Sequence, residues 1–174
     1  ANSGCKEFFV ANLYEAIELR QHLNGLGQTQ PNIMTLHGCY VDQLEEHATF
    51  RITPVLNDLD QLSRWRVFSQ RKADKLPALL HFDTGMTRLG FDTDQIDWLI
   101  ENKSALNGVH CRYVMSHLVS AEIANDQTNV KQLDSFNGVR QWFAGIPASL
   151  ANSAGCLLSP AYHFQMTRPG IALY

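Results

Sequence analysis

The sequence is short of the features that announce most binding chemistries. Its 174 residues contain 4 cysteines, Cys5, Cys39, Cys111 and Cys156, spread along the whole chain with no C-x-x-C pair. That excludes a zinc knuckle or a thioredoxin-type redox motif, and no metal site is expected. Four scattered thiols are too few for a disulfide scaffold and fit a reducing cytoplasm. Charge of one sign is also lacking: 14 Lys and Arg stand against 17 Asp and Glu, for a net charge of -3 and a pI near 6.1. Such a balance leaves no electrostatic footprint for nucleic acid or anionic lipid. No apolar run approaches the ~18 residues of a membrane span. No G-x-G-x-x-G follows an early strand, so the Rossmann fingerprint is missing. Internal repeats, low-complexity tracts and linkers are absent too, and residues 1–174 read as part of one domain.

What remains is an ordinary globular composition, 45% apolar and 18% charged, with short apolar runs alternating with amphipathic stretches. Phe8–Ala11 reads as a buried strand. Asn12 caps the helix that follows, with Glu15 placed for a capping box, and Gly25 and Gly27 end it. Further strands are expected at Ile33–Leu36, Ile52–Leu56 (where Pro54 removes a ladder donor), Ala78–Asp83, Val109–Ser116, Ala148–Ala151 and Phe164–Thr167. Helices are expected around Val41–Glu46, from Asp58 or Asp60 with Leu62, Trp65 and Phe68 on one side, and through Ile96, Leu99 and Ile100. A last helix is expected to start at a cap on Asn129 and to bury Val130, Leu133, Phe136, Val139 and Phe143.

Strands separated by helices specify parallel βαβ units. An open doubly wound sheet and a (β/α)₈ barrel both satisfy the pattern, and the barrel typically takes ~250 residues. The chain begins Ala1-Asn2-Ser3-Gly4-Cys5 without methionine and stops at Tyr174 behind an apolar stretch. The expectation is therefore an α/β, TIM-type barrel that lacks its first strand.

In such a barrel the working residues sit at the C-terminal ends of strands and in the loops beyond them. Those positions are Asn12, His37, Asn57, Asp83 to Arg88, His117, Asn152-Ser153 and Arg168-Pro169-Gly170. His117 can stack on a flat ligand or shuttle a proton; it can equally be a core imidazole bonded to a carbonyl. Ser153, among small residues ahead of a short helix near Ala154, can cradle a phosphate with nearby amides or serve as a plain cap. Arg168 followed by Gly170 offers a directional cation beside free amides, or a surface turn. Asp83 and Arg88 can pair to brace their loop, or Arg88 can contact an oxyanion. Together these groups suit a planar phosphorylated cofactor such as pyridoxal phosphate, which normally needs a lysine. The chain's lysines, Lys6, Lys72, Lys75, Lys103 and Lys131, all fall at helix or loop positions.

These same residues carry a resemblance. His81-Phe82-Asp83-Thr84-Gly85-Met86-Thr87-Arg88-Leu89-Gly90 resembles the D-T-G-M-x-R-L-G signature of alanine racemases. Met115-Ser116-His117-Leu118 is similar to the family's M-[ST]-H segment, Ala151-Asn152-Ser153-Ala154 to its A-N-S-A, and Arg168-Pro169-Gly170-Ile171-Ala172-Leu173-Tyr174 to its R-P-G-I-x-L-Y. They occur in the family's order and span essentially the whole chain.

The resemblance implies a fold-type III pyridoxal 5'-phosphate enzyme interconverting L- and D-alanine, with an N-terminal barrel, a β-rich C-terminal domain and active sites at a homodimer interface. Carried over by motif, Arg168 bonds the pyridine nitrogen, His117 lies against the ring, Ser153, Gly170 and Ile171 hold the phosphate, and Asn152 braces the site. Arg88 contacts the cofactor's phenolic oxygen and the substrate carboxylate, with Met86 on the substrate side. A guanidinium keeps its proton near neutrality, so the ring nitrogen stays unprotonated and the ring is a weaker electron sink. That favours prompt return of the proton to Cα over transamination.

Departures from the family are informative. Its Schiff-base lysine lies in a K-A-x-A-Y-G-H-G segment that this sequence lacks, and the opposing catalytic tyrosine belongs to the C-terminal domain. Two-way racemisation needs acid/base groups on both faces of Cα, so this stretch alone is expected to be inactive. His81 stands where many relatives carry a lysine, often carbamylated, that positions Arg88. Alternatives are a racemase for serine or lysine, and a non-catalytic pyridoxal-phosphate carrier. An open barrel also exposes strand edges, which invites self-association.

Overall fold

Of the capping box expected at Asn12, the side-chain cap forms: the Asn12 side chain accepts from the Glu15 amide at 3.1 Å. Glu15 reaches back to the Ala11 amide at 2.8 Å, one residue earlier than the usual box partner. The computed structural model describes residues 4–72 and 74–174. Strands and helices alternate throughout them: β1 (Glu7–Val10), α1 (Leu13–Gly25), β2 (Asn32–Thr35), α2 (Leu44–Thr49), β3 (Ile52–Leu56), α3 (Leu59–Ser69), β4 (Leu76–His81), α4 (Thr93–Glu101), β5 (Val109–Met115), α5 (Gln127–Arg140) and β6 (Ala148–Ser149). The strands are hydrogen-bonded in chain order. Phe8 pairs with Ile33, Met34 with Thr53, and Val114 with Ala148, all in parallel register. Parallel neighbours need crossover connections, and the intervening helices supply them.

Two compact units result, one of Ala1–Leu79 with Ala105–His110, the other of Leu80–Ser104 with Cys111–Tyr174. In the first, Leu13, Ala16 and Leu23 of α1 pack on Ile33 and Ile52. Each of the leucines and isoleucines among them, once buried, contributes about 1.5–3 kcal/mol. Arg20 is buried on the same helix. It donates to the carbonyls of Pro31, Phe50 and Arg51 at 2.9, 3.0 and 3.1 Å, which offsets the cost of desolvating its charge. Asp58 caps α3, accepting from the Gln61 amide at 2.7 Å, so Asp58 rather than Asp60 opens that helix. Pro54 is accommodated inside the fully buried β3, opposite Thr35.

In the second unit Phe82 packs on Phe91 and Phe143, with ring centroids 5.8 and 5.0 Å apart. Phe82 and Phe91 also form a parallel bridge, so the chain between them closes as a loop over the end of β4.

Three sequence expectations need correction. β1 is half-buried along its length, not buried. The cap of α5 is Asp126, which accepts from the Thr128 amide at 2.8 Å. Asn129 instead lies inside the first turn and donates to the carbonyls of Ser120 and Ile123. The buried face of α5 is consequently Asn129, Gln132 and Phe136, while Val130 is 53% exposed and Leu133 and Val139 are half-buried. Finally, Phe164–Thr167 is not a strand. Phe164 takes a left-handed φ of 53°, which breaks an extended run. The segment is held beside β6 by single bonds, Gln165 amide to Ala148 carbonyl and Ala148 amide to the Gln165 side chain.

Candidate active site

Asn12, His37 and Asn57 lie in the first unit, whereas every motif residue of the candidate site comes from the second, in the chain that follows β4, β5 and β6. Asp83 follows β4, and its Oδ1 accepts from the amides of Gly85, Met86 and Thr87 at 2.9, 2.9 and 3.0 Å. The carboxylate is therefore the brace of this loop. No ion pair joins it to Arg88 among the described residues, and the Arg88 side chain is exposed. Met86 is half-buried in the same loop. Closing the loop requires Gly90: its φ is +112°, and a Cβ there would meet backbone atoms of Asp83, His81 and Phe82 at 2.7–2.9 Å.

Beyond β5, Ser116 and Thr84 share a hydrogen bond of 2.7 Å between their hydroxyls, which ties the Asp83 loop to this strand end. His117 comes next and is half-buried. Beyond β6, Asn152 accepts from the Gly155 amide at 2.9 Å and donates to the Leu118 carbonyl at 3.1 Å. Those two bonds orient the amide, and its nitrogen lies 3.4 Å from His117 Nε2. An amide nitrogen only donates, so Nε2 accepts and the imidazole carries its proton on Nδ1. Burial first, then the charges of Arg168 and Arg88, hold the His117 pKa down at about 4. His81, 6% exposed at the end of β4, is lowered to about 3, by burial first and then by Arg168 and His117. Both rings are neutral at pH 7.

Arg168 is anchored on both branches of its guanidinium. One amino group donates to the Ser149 hydroxyl; the other donates to the Ser116 carbonyl at 2.6 Å and the Leu150 carbonyl at 3.4 Å. Burial lowers its pKa to about 10, so it keeps its proton at neutrality. Ser153 Oγ accepts from the amides of Gly170 and Ala172 at 2.8 and 3.3 Å, a hydroxyl and two amides drawn to one point. Gly170 is exposed, and Ile171, in the same turn, has its side chain 84% exposed. The structure thus joins Ser153 to the Gly170 turn and Asn152 to His117.

Sequence reasoning placed Thr84 and Ser116 inside its motifs without giving either an anchoring role, and missed Ser149. It also missed Gln132, which is 1% exposed on α5 and bonds both sides of Leu118. No local motif marks Ser149 or Gln132; the helical spacing Asn129 to Gln132 is the one signal that could have found the second of them.

Arg88 and Arg168 bring two cations, flanked by neutral imidazoles, to one set of strand ends, with the one nearby carboxylate engaged by amides. That is a cationic rim on a (β/α)-barrel framework. The chain belongs to the alanine racemase N-terminal domain family, whose model matches residues 1–174. It is 42% identical over 170 residues to alanine racemase of Rickettsia conorii (strain ATCC VR-613 / Malish 7), covering 98% of this chain and 47% of that protein. The crystal structure of alanine racemase from Bartonella henselae with covalently bound pyridoxal phosphate matches with a TM-score of 0.93 at 35% identity, over 99% of this chain and 49% of that one. The biosynthetic alanine racemase of Pseudomonas aeruginosa matches with a TM-score of 0.82 at 30% identity, over 97% and 45%. The α/β barrel class expected from the sequence holds. The chain spans about half the length of the curated relatives it matches. No helix among the described residues is long and apolar enough to cross a membrane.

Proposed function

We propose that this chain carries the cofactor-holding rim of an alanine racemase, which interconverts L- and D-alanine with pyridoxal 5'-phosphate. The observation that supports it most is the anchored trio of Arg168, His117 and Ser153 in a chain of that family. The donor set fits the cofactor's chemistry. A guanidinium that keeps its proton suits a pyridine nitrogen, a neutral imidazole suits the face of a flat ring, and a hydroxyl converging with amides suits a phosphate.

In this reading Arg168 donates to the ring nitrogen, in an orientation set by Ser149 and Ser116, and leaves that nitrogen without a proton. His117 packs against the ring without adding charge. Ser153, Gly170 and Ile171 hold the phosphate, Asn152 fixes His117, and Arg88 with Met86 receives the carboxylate end of the amino acid. When bound, the cofactor supplies the electron sink that makes the substrate's Cα–H acidic. Moving that proton between the two faces takes two acid/base groups, the family's lysine and tyrosine, and neither of their segments occurs in these 174 residues. The chain alone is therefore proposed to be inactive. The whole protein is proposed to be a cytoplasmic homodimer acting on free alanine and supplying D-alanine for peptidoglycan.

The test is an absorption spectrum of the purified chain with pyridoxal phosphate, before and after dialysis and borohydride reduction, beside a racemisation assay. Non-covalent retention without turnover is expected. Turnover by the chain alone would refute the proposed inactivity, and no retention would refute a rim that forms without the lysine.

A further inference from the structure

Gln132 lies outside every motif, yet its side chain is among the most completely buried polar groups of the second unit, at 1% exposed. Its Nε2 donates to the His117 carbonyl at 2.9 Å and its Oε1 accepts from the Val119 amide at 2.9 Å. These are the two bonds by which a residue of a parallel neighbouring strand would engage residue 118. The amide of Gln132 thus stands in for a strand just where β5 has ended. Both bonds also settle its orientation, since the flipped amide would set donor against donor and acceptor against acceptor.

Two of these residues are also held from the chain beyond β6, where Asn152 holds the Leu118 carbonyl and faces His117 Nε2. The stem of Gln132 meanwhile faces the Arg88 loop: a Cβ on Gly85 would sit 3.6 Å from Gln132 Cγ. One side chain therefore touches the backbone that carries His117 and lies beside the loop that carries Arg88.

We propose that Gln132 is a positioning residue for His117, holding the imidazole in register with Asn152 and so in its Nδ1–H form. Apolar replacement removes the partner of a part-buried carbonyl and a part-buried N–H, and the His117 peptide is then free to turn toward other ones. A neighbouring residue provides the comparison. Asn129 makes a similar grip one helical turn away, on the carbonyls of Ser120 and Ile123, and does not touch residues 117–119.

The experiment measures imidazole ¹⁵N shifts of His117 against pH in the wild-type chain, Gln132→Met and Asn129→Leu, with the dissociation constant for pyridoxal phosphate alongside. In the wild type His117 is expected to be a neutral Nδ1–H ring down to low pH. In Gln132→Met its two nitrogen shifts should converge as the ring leaves the Nδ1–H form. Cofactor affinity should fall about tenfold, and Asn129→Leu should leave both readings in place. Should the methionine variant not fold, Gln132→Glu replaces it. A protonated carboxyl can make both bonds and a carboxylate only the one to Val119, so wild-type shifts are expected in acid and altered ones at pH 8.

Unmoved His117 shifts in Gln132→Met, equal movement in Asn129→Leu, or a glutamate variant that matches wild type at pH 8 would overturn the proposal. The affinity reading alone rests on the proposed function. If the wild-type chain binds no pyridoxal phosphate, that function fails while the tautomer reading still decides the role of Gln132.

Discussion

Replacing Gly90 by alanine tests how the loop carrying Arg88 is closed. Gly90 has a φ of +112°, and its missing Cβ would lie 2.7 Å from the Asp83 nitrogen, 2.9 Å from the His81 oxygen and 2.9 Å from the Phe82 carbonyl carbon. All three are backbone atoms, so no side chain can swing aside. Strain at such a φ costs on the order of 1–3 kcal/mol. Relieving the overlap means opening the adjoining bonds, Phe91 amide to His81 carbonyl at 2.7 Å and Asp83 amide to Phe91 carbonyl at 2.9 Å, at about 1 kcal/mol each. The expected loss is therefore about 3–5 kcal/mol, a large part of the stability of an ordinary domain. Gly145→Ala is the reference: φ is +87° there too, but nothing lies within 4 Å of the added methyl, so only about 1–2 kcal/mol of strain is expected. Urea unfolding followed by tryptophan fluorescence gives both values. Gly90→Ala lying within about 1 kcal/mol of Gly145→Ala would refute the argument from overlap.

Other outcomes follow from the same geometry. Arg168→Lys replaces a fork anchored on Ser149, Ser116 and Leu150 by a point charge; pyridoxal phosphate affinity should drop about tenfold or more, and an unchanged fluorescence titration would count against the proposed site. His81 and His117 titrate at about 3 and about 4, below the ~6.5 of an unfolded histidine. Between those values the unfolded chain binds protons that the folded chain does not. Stability is therefore full above about pH 6.5 and is lost as pH falls toward 4; urea midpoints at pH 7, 5.5 and 4.5 should decline, less steeply in His81→Gln, and a flat profile would contradict it. Burial pushes the thiols of Cys39 and Cys111 up to about 12, whereas Cys5 is exposed. A disulfide reagent should modify Cys5 quickly, half-buried Cys111 more slowly and buried Cys39 only on unfolding, and equal rates would show that the last two are not protected.

Where the determining interaction spans a few residues, the sequence alone was enough. Asn12 and Glu15 meet within one helical turn, so that cap can be read without any knowledge of what packs against the helix. The alternation of apolar runs and amphipathic stretches was likewise sufficient for parallel βαβ units, and the motifs at His117, Ser153 and Arg168 for the family. Tertiary structure decided the rest. Asp126 and Asn129 are both good caps by residue type, and only the docking of Asn129 beneath the carbonyls of Ser120 and Ile123 assigns the role to Asp126. Phe164–Thr167 has the composition of a strand but is turned out of one by a left-handed residue. Ser149 and Ser116 hold Arg168 from 19 and 52 residues away, and Gln132 reaches His117 across 15. Such contacts exist because burial strips polar groups of water and forces them to find whatever partners the packing brings near. That demand belongs to the folded chain and leaves no periodicity in the sequence to read.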